Sequence, residues 1–173
     1  MEVVRITSPL GREAARQLKA GESVLISGVI YTARDAAHKK LAEALEKGEK
    51  PPIDLEGITI YYMGPSPAPP GRVIGAAGPT TSGRMDRYTP RLLAAGVRAL
   101  LGKGFRSQAV KEAIQRHGAV YMAAIGGAGA LIAQRIKTAA EFIFEGGDFR
   151  VAQHKLDSRT LPPVLKRFDR PFD

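Results

Sequence analysis

The 173-residue chain contains no cysteine and no tryptophan. Without cysteine it has no disulfide, no thiolate nucleophile and no thiolate ligand of its own for an iron–sulfur cluster. Histidine is nearly as scarce. His38, His117 and His154 lie far apart, and none has a ligand-type neighbour at short spacing, which argues against a metal site built from this chain alone. They read as surface or helix-end residues. Aromatic residues make up 6%, and they do not interleave with basic residues as in RNA-binding modules. No apolar run reaches the roughly 18 residues of a membrane span. The start, Met1-Glu2-Val3-Val4-Arg5-Ile6, lacks the basic-then-apolar pattern of a secretory leader, so the expected location is cytoplasmic. Acidic residues are also in deficit: 17 Asp and Glu against 26 Lys and Arg give a net charge of +9. That balance asks for an anionic partner. Basic residues are spread along the chain, with a richer tail at Lys155, Arg159, Lys166, Arg167 and Arg170. The spread favours an acidic substrate, alone or with an acidic partner subunit, over nucleic acid as the main ligand.

What is present is an alternation of strand and helix signals. Residues 3–7 and 23–31 read as strands, with a helix over 10–19 between them that Ser8-Pro9 opens. Asp35 is placed to cap a helix over 36–47. Residues 58–63 read as a strand, 64–71 as a loop with four prolines and two glycines, and 73–77 as a short buried strand. Thr89-Pro90 opens a helix whose apolar positions Leu92, Leu93, Val97, Leu100 and Leu101 carry it to Gly102-Lys103-Gly104. A helix from Ser107 to about His117, a strand over 119–124 and a helix through Lys137 follow. A late hairpin is expected from 142–144 and 149–152 around Gly146-Gly147-Asp148. The pattern predicts a single α/β domain over residues 1–173, with a layered sheet and helices on its faces. The basic end, about 141–173, reads as an extension.

Gly78-Pro79-Thr80-Thr81-Ser82-Gly83-Arg84-Met85-Asp86 crowds two glycines, three hydroxyls and an arginine into one loop. Glycine lets backbone approach a ligand, hydroxyls donate hydrogen bonds, and arginine grips a carboxylate or phosphate with two parallel bonds. A tight turn alone explains Gly78, Pro79 and Gly83 but not the hydroxyls beside Arg84. Tyr31-Thr32-Ala33-Arg34-Asp35 also leads from strand to helix, where the positive helix end favours an anion. Lys103, flanked by glycines, reads either as a helix-end lysine or as a cation turned into a crevice. Ile125-Gly126-Gly127-Ala128-Gly129-Ala130 lacks the G-x-G-x-x-G spacing, so close helix packing or a second anion-facing turn fits better than a dinucleotide. Asp35, Asp86 and Asp148 read as helix caps or arginine orienters before acid–base groups.

Taken in order, Gly28-Val29-Ile30-Tyr31-Thr32-Ala33-Arg34-Asp35-Ala36-Ala37-His38, the Gly78-to-Met85 loop, Tyr88-Thr89-Pro90, Gly102-Lys103-Gly104 and the Ile125-to-Leu131 turn resemble the β subunit of the class I fumarase and tartrate dehydratase family. The resemblance implies a swivelling β/β/α-type domain in a hydro-lyase that hydrates fumarate to malate, a step of the tricarboxylic acid cycle. It implies a partner, a cluster-bearing α subunit that holds a [4Fe-4S] cluster, in a heteromer, for example a dimer of αβ pairs. By position, Arg34, Arg84 and Lys103 would bind the dicarboxylate substrate, with Thr81 and Ser82 shaping the turn or donating to a carboxylate. Thr80 would be the catalytic residue that moves the proton, or its close helper. The basic tail departs from the acidic continuation usual in the family, which leaves tartrate or another 2-hydroxy dicarboxylate open as substrate. A non-catalytic anion- or nucleic-acid-binding module is the remaining alternative.

Overall fold

A computed structural model of the chain describes residues 3–143, 150–156 and 164–165, with side chains described as far as residue 139. Five strands run parallel in the order β1 (Val3–Ser8), β2 (Ser23–Thr32), β3 (Thr59–Tyr61), β4 (Ala99–Gly102) and β5 (Val120–Ala123). β1 pairs with the first part of β2, from Val3 opposite Ser23 to Ser8 opposite Gly28. β3 pairs with its end, from Ile30 opposite Thr59 to Thr32 opposite Tyr61. Two antiparallel strands, β6 (Ile136–Ile143) and β7 (Arg150–Leu156), pair with each other, and β7 pairs with β2. β8 (Val164–Leu165) joins β2 to β5, so the sheet curls. Backbone pairing thus runs on into the stretch expected to be an extension. Phe144, Gly146, Gly147, Asp148 and Phe149 of the expected hairpin lie outside the described residues.

Alternate side chains of the central strands enter opposite cores, as the two-residue period of a strand requires. Tyr61, Ala99, Leu101, Val120 and Met122 pack into one core, and Ile60, Leu100 and Tyr121 into the other. The first core is covered by α1 (Arg12–Gln17) and α5 (Gly129–Ala133) through Ala15 and Ile132. The second is covered by α2 (Asp35–Glu46), α3 (Thr89–Ala94) and α4 (Gln108–His117), through Leu41, Leu92 and Val110 among others. The chain is therefore an α/β domain with a parallel sheet buried on both faces, which is why β4 and β5 read as continuous apolar runs.

Several element boundaries differ from the sequence reading. α3 stops at Ala94 and does not reach Leu101. Gly96 sits at φ +114, and a Cβ there would lie 2.4 Å from the Glu56 carboxylate and 3.0 Å from Glu56 Cα. The chain reverses at this glycine, and Ala99–Gly102 is the central strand β4. Residues 73–77 form no strand. Their backbone bonds go elsewhere: Ala76 N–H to Ser66 Oγ and Ala77 N–H to the Gly129 carbonyl. Ser8 ends β1, and the first helix is flanked by Gly11, with no side-chain cap. Asp35 is the first residue of α2 and makes no cap bond. Thr89 likewise lies inside α3, with Tyr88 as the flanking residue. α5 ends at Ala133, and Lys137 belongs to β6. α4 matches its expectation closely: Ser107 Oγ accepts from Val110 N–H, and Gly118 closes the helix at φ 61.

Candidate functional site

The carboxyl ends of β2, β3 and β4 lie side by side, the usual place for a ligand in a parallel α/β sheet. Arg34 follows β2, Gly64 follows β3 and Lys103 follows β4. The loop 78–86 is fastened across these ends by backbone pairing. Met63 bridges to Pro79, Thr81 bridges to Lys103, and Ser82 N–H donates to the Lys103 carbonyl at 2.9 Å. Lys103 N–H in turn donates to the Thr80 carbonyl at 3.3 Å. The correction to α3 therefore changes what Lys103 is: the end of a central strand rather than a helix stop. At the loop's start, Gly129 packs backbone to backbone on Gly78. A Cβ on Gly129 would come 2.9 Å from Gly78 N, so the second glycine turn serves close packing.

Arg34 and Arg84, 50 residues apart in sequence, meet at Asp35. Arg84 Nε donates to Asp35 Oδ1 at 3.0 Å, and Arg34 Nε lies 4.0 Å from Oδ2. All three side chains are 40–55% exposed, so this contact is loosely held and open to exchange with another carboxylate. Arg34 lies over Gly64, where a Cβ would come 2.7 Å from Nη1. Any larger residue at 64 would displace the guanidinium. Lys103 is exposed and has no ion-pair or hydrogen-bond partner for its ammonium among the described residues.

The three hydroxyls of the loop divide. Thr80 Oγ1 donates to the Tyr62 carbonyl at 2.8 Å, which also accepts from Thr80 N–H. With its proton committed there, the half-buried oxygen keeps its lone pairs for an incoming group. Thr81 is exposed beside Gly104. Ser82 is fully buried and turned into the core, with Oγ 2.9 Å from the Tyr121 hydroxyl. The structure brings Arg34, Arg84, Thr80, Thr81 and Lys103 to one surface and does not bring the Ser82 side chain there.

Two features beneath the loop were not read from the sequence. Arg106, with 1% of its side chain exposed, pairs with Asp86 at 2.7 Å between the Tyr62 and Tyr121 rings. His38 is buried, against the expectation of a surface residue. Its Nδ1 donates to the Arg34 carbonyl at 2.9 Å, since a carbonyl only accepts, and its ring meets Tyr62 edge-on at 5.1 Å. Burial, partly opposed by that carbonyl, lowers its pKa to about 4, so the ring is neutral at neutral pH. Burial likewise raises the pKa of the Tyr62 and Tyr121 phenols. No local signal marked Arg106, because its partners Thr89, Asp86 and Tyr62 are 17, 20 and 44 positions away, and the ring that covers His38 belongs to Tyr62 on another element. No group of three or more His, Cys, Asp or Glu able to hold a metal ion occurs among the described residues, and none of their helices is long and apolar enough to cross a membrane.

Fold and site together define an α/β domain that presents a cationic, hydroxyl-bearing rim at its strand ends. The chain belongs to the family described as Fumarase C-terminus, whose model matches residues 1–150. It is 44% identical over 110 residues to "Fumarate hydratase class I, aerobic" of Escherichia coli (strain K12), covering 63% of this chain and 20% of that protein. It is 39% identical over 124 residues to "Fumarate hydratase 2" of Leishmania major, covering 71% and 22%. It is 37% identical over 131 residues to "Putative L(+)-tartrate dehydratase subunit beta" of Methanocaldococcus jannaschii, covering 74% and 67%. The match thus spans about a fifth of the length of these fumarate hydratases.

Proposed function

We propose that this chain is the substrate-gripping part of a hydro-lyase that reversibly hydrates fumarate to malate, completed by a cluster-bearing α subunit. The observation that carries the reading is the gathering of Arg34 and Arg84 around one carboxylate, Asp35; the loop of Arg84 also carries Thr80 and pairs along its backbone with Lys103, whose ammonium has no partner among the described residues. Two guanidiniums and an ammonium suit the two carboxylates of a dicarboxylate dianion. In this reading Arg34 and Arg84 exchange Asp35 for a substrate carboxylate, and Lys103 and the exposed Thr81 hydroxyl meet the rest. Ser82 holds the turn from beneath. Gripping both ends fixes the carbon between them before its proton is moved.

In the dehydration direction a C–H proton leaves one carbon and hydroxide leaves its neighbour, giving the double bond and water. Thr80, with its own proton engaged by the Tyr62 carbonyl, is the residue on this chain suited to face that proton. A threonine hydroxyl is a weak base, so an acid–base group of the partner completes the transfer. The [4Fe-4S] cluster that the family resemblance implies would supply Lewis acidity for the leaving hydroxyl. This chain has no cysteine, so the cluster's thiolate ligands would belong to the partner.

Tartrate is the second reading, favoured by the Methanocaldococcus jannaschii relative, two thirds of whose length this chain matches. Co-expression with an α-subunit candidate, anaerobic cluster reconstitution and assay of both substrates decides between them. Fumarate consumption, followed by loss of its ultraviolet absorbance, is the expected result. Turnover of tartrate without fumarate would replace the substrate and keep the site. Wild-type rates in Thr80→Ala and Arg84→Ala would sink the site. A salt-sensitive DNA gel shift with no α partner captured would favour the binding module.

A further inference from the structure

The loop 78–86 exposes Thr81, Gly83 and Arg84, and the turn at Lys103-Gly104 is exposed too, yet one buried network underlies both. Arg106 uses every face of its guanidinium. Nε donates to Asp86 Oδ1 at 2.7 Å, Nη1 to the Tyr62 hydroxyl at 3.2 Å and Nη2 to Thr89 Oγ1 at 2.9 Å. Its centre lies 5.1 Å from the Tyr62 ring and 5.0 Å from the Tyr121 ring, a double cation–π contact away from water. Asp86 accepts in addition from the Ser107 backbone, which starts α4. Tyr121 gives its hydroxyl proton to the Gly104 carbonyl at 3.0 Å and so accepts from Ser82 Oγ at 2.9 Å. The Tyr62 carbonyl receives both donors of Thr80.

We propose that Arg106 and Tyr121 are positioning residues: through Asp86, Ser82 and Gly104 they hold Thr80, Arg84 and Lys103 in a single rigid rim. The functional half of this inference rests on the hydro-lyase reading. Neither residue touches the exposed rim surface; each fixes the backbone from which the site side chains project. A fully satisfied buried polar cluster rigidifies what it ties together. Ser82 is the decisive residue, because a loop serine with no exposure is explained by this tie and not by substrate contact.

The test uses two variants and two readouts. Tyr121→Phe removes one hydroxyl from the Ser82–Gly104 tie, and Arg106→Lys keeps the charge but loses the planar fork. In the chain alone, amide hydrogen exchange should rise roughly tenfold or more at Thr80, Ser82 and Lys103, while β1 and β2 exchange as in the wild type. In the reconstituted pair, kcat/KM for fumarate should fall roughly tenfold, about the effect of one buried hydrogen bond, at a temperature where both variants remain folded. Unchanged exchange at these amides, exchange raised equally in β1 and β2, or loosened amides with wild-type turnover would each overturn the inference. If Arg106→Lys fails to fold, Tyr121→Phe carries the test alone. An inactive wild-type pair would defeat the hydro-lyase reading, and the exchange measurement would still decide whether the network holds the rim.

Discussion

At the scale of single residues, the candidate site treats exposed and buried charges differently. Arg84 and Asp35 form an exposed pair, so their mutual attraction contributes little to stability. Arg84→Ala should shift unfolding by under about 1 kcal/mol. In the reconstituted enzyme it should raise KM roughly 10- to 100-fold through loss of a charge-assisted grip. A wild-type KM, or an unfolding midpoint far below the wild type's, would contradict this division. His38 shows the opposite case. Unfolded, it takes up a proton below its ordinary pKa of 6.5, but buried it does so only below about 4. Between these values the unfolded chain binds more protons, so stability falls as pH falls across that window and levels off below it. The loss is at most about 3 kcal/mol, the free energy of moving a pKa across that window. Urea unfolding at both ends of the window checks it. His38→Gln, which cannot titrate, should lose that part of the slope.

At the scale of elements, much of the order of strands and helices was legible, and the main error is instructive. Leu92, Leu93, Val97, Leu100 and Leu101 satisfy a helical period, yet the last three lie beyond a glycine at φ +114, and Leu100 and Leu101 enter a sheet covered on both faces. A strand buried on both sides is apolar at every position, so periodicity cannot tell it from a buried helix. What separated them was the glycine and the Glu56 backbone against it, a contact 40 residues distant. The loop bearing Thr80 and Arg84 stood out by its glycines and hydroxyls, whereas Arg34 and Lys103 were singled out by the family resemblance, since their own turns read equally as a surface ion pair and a helix stop. Arg106, Tyr121 and the inward Ser82 were not legible, because only tertiary packing defines their roles. Gly102 joins the two levels. It closes β4 against the loop, and a Cβ there would lie 2.1 Å from Ser82 Oγ and 2.8 Å from Tyr62 Cδ2. Gly102→Ala should therefore cost about 1–3 kcal/mol of stability by overpacking, measured by denaturant unfolding, and should lower turnover by pushing Ser82 and the loop outward. Gly126→Ala, whose Cβ would meet nothing within 4 Å, is the matched control and should change neither.

At the scale of the whole molecule, the proposed function has the charge balance and the rim act on the same ligand. The net charge of +9 gives the domain a positive field, and the sheet topology concentrates Arg34, Arg84 and Lys103 at one end of it. A dianionic substrate would be drawn by both, but the two act over different ranges. Attraction by the overall field reaches outward to about the Debye length, about 10 Å at 0.1 M salt, and weakens as salt shortens that length. Contact with the rim cations is made at hydrogen-bond distance and is screened far less. For the reconstituted enzyme, kcat/KM toward a dicarboxylate should therefore fall severalfold between roughly 0.05 and 0.5 M salt, while kcat stays nearly constant. Initial rates across a salt series measure both quantities. The Lys103→Ala variant separates the ranges: it should lower kcat/KM at every salt concentration and leave the salt slope close to that of the wild type, since it removes one contact and one charge of many. A kcat/KM independent of salt would mean that the overall charge plays no part in substrate capture. The basic character would then belong to how this chain meets its partner.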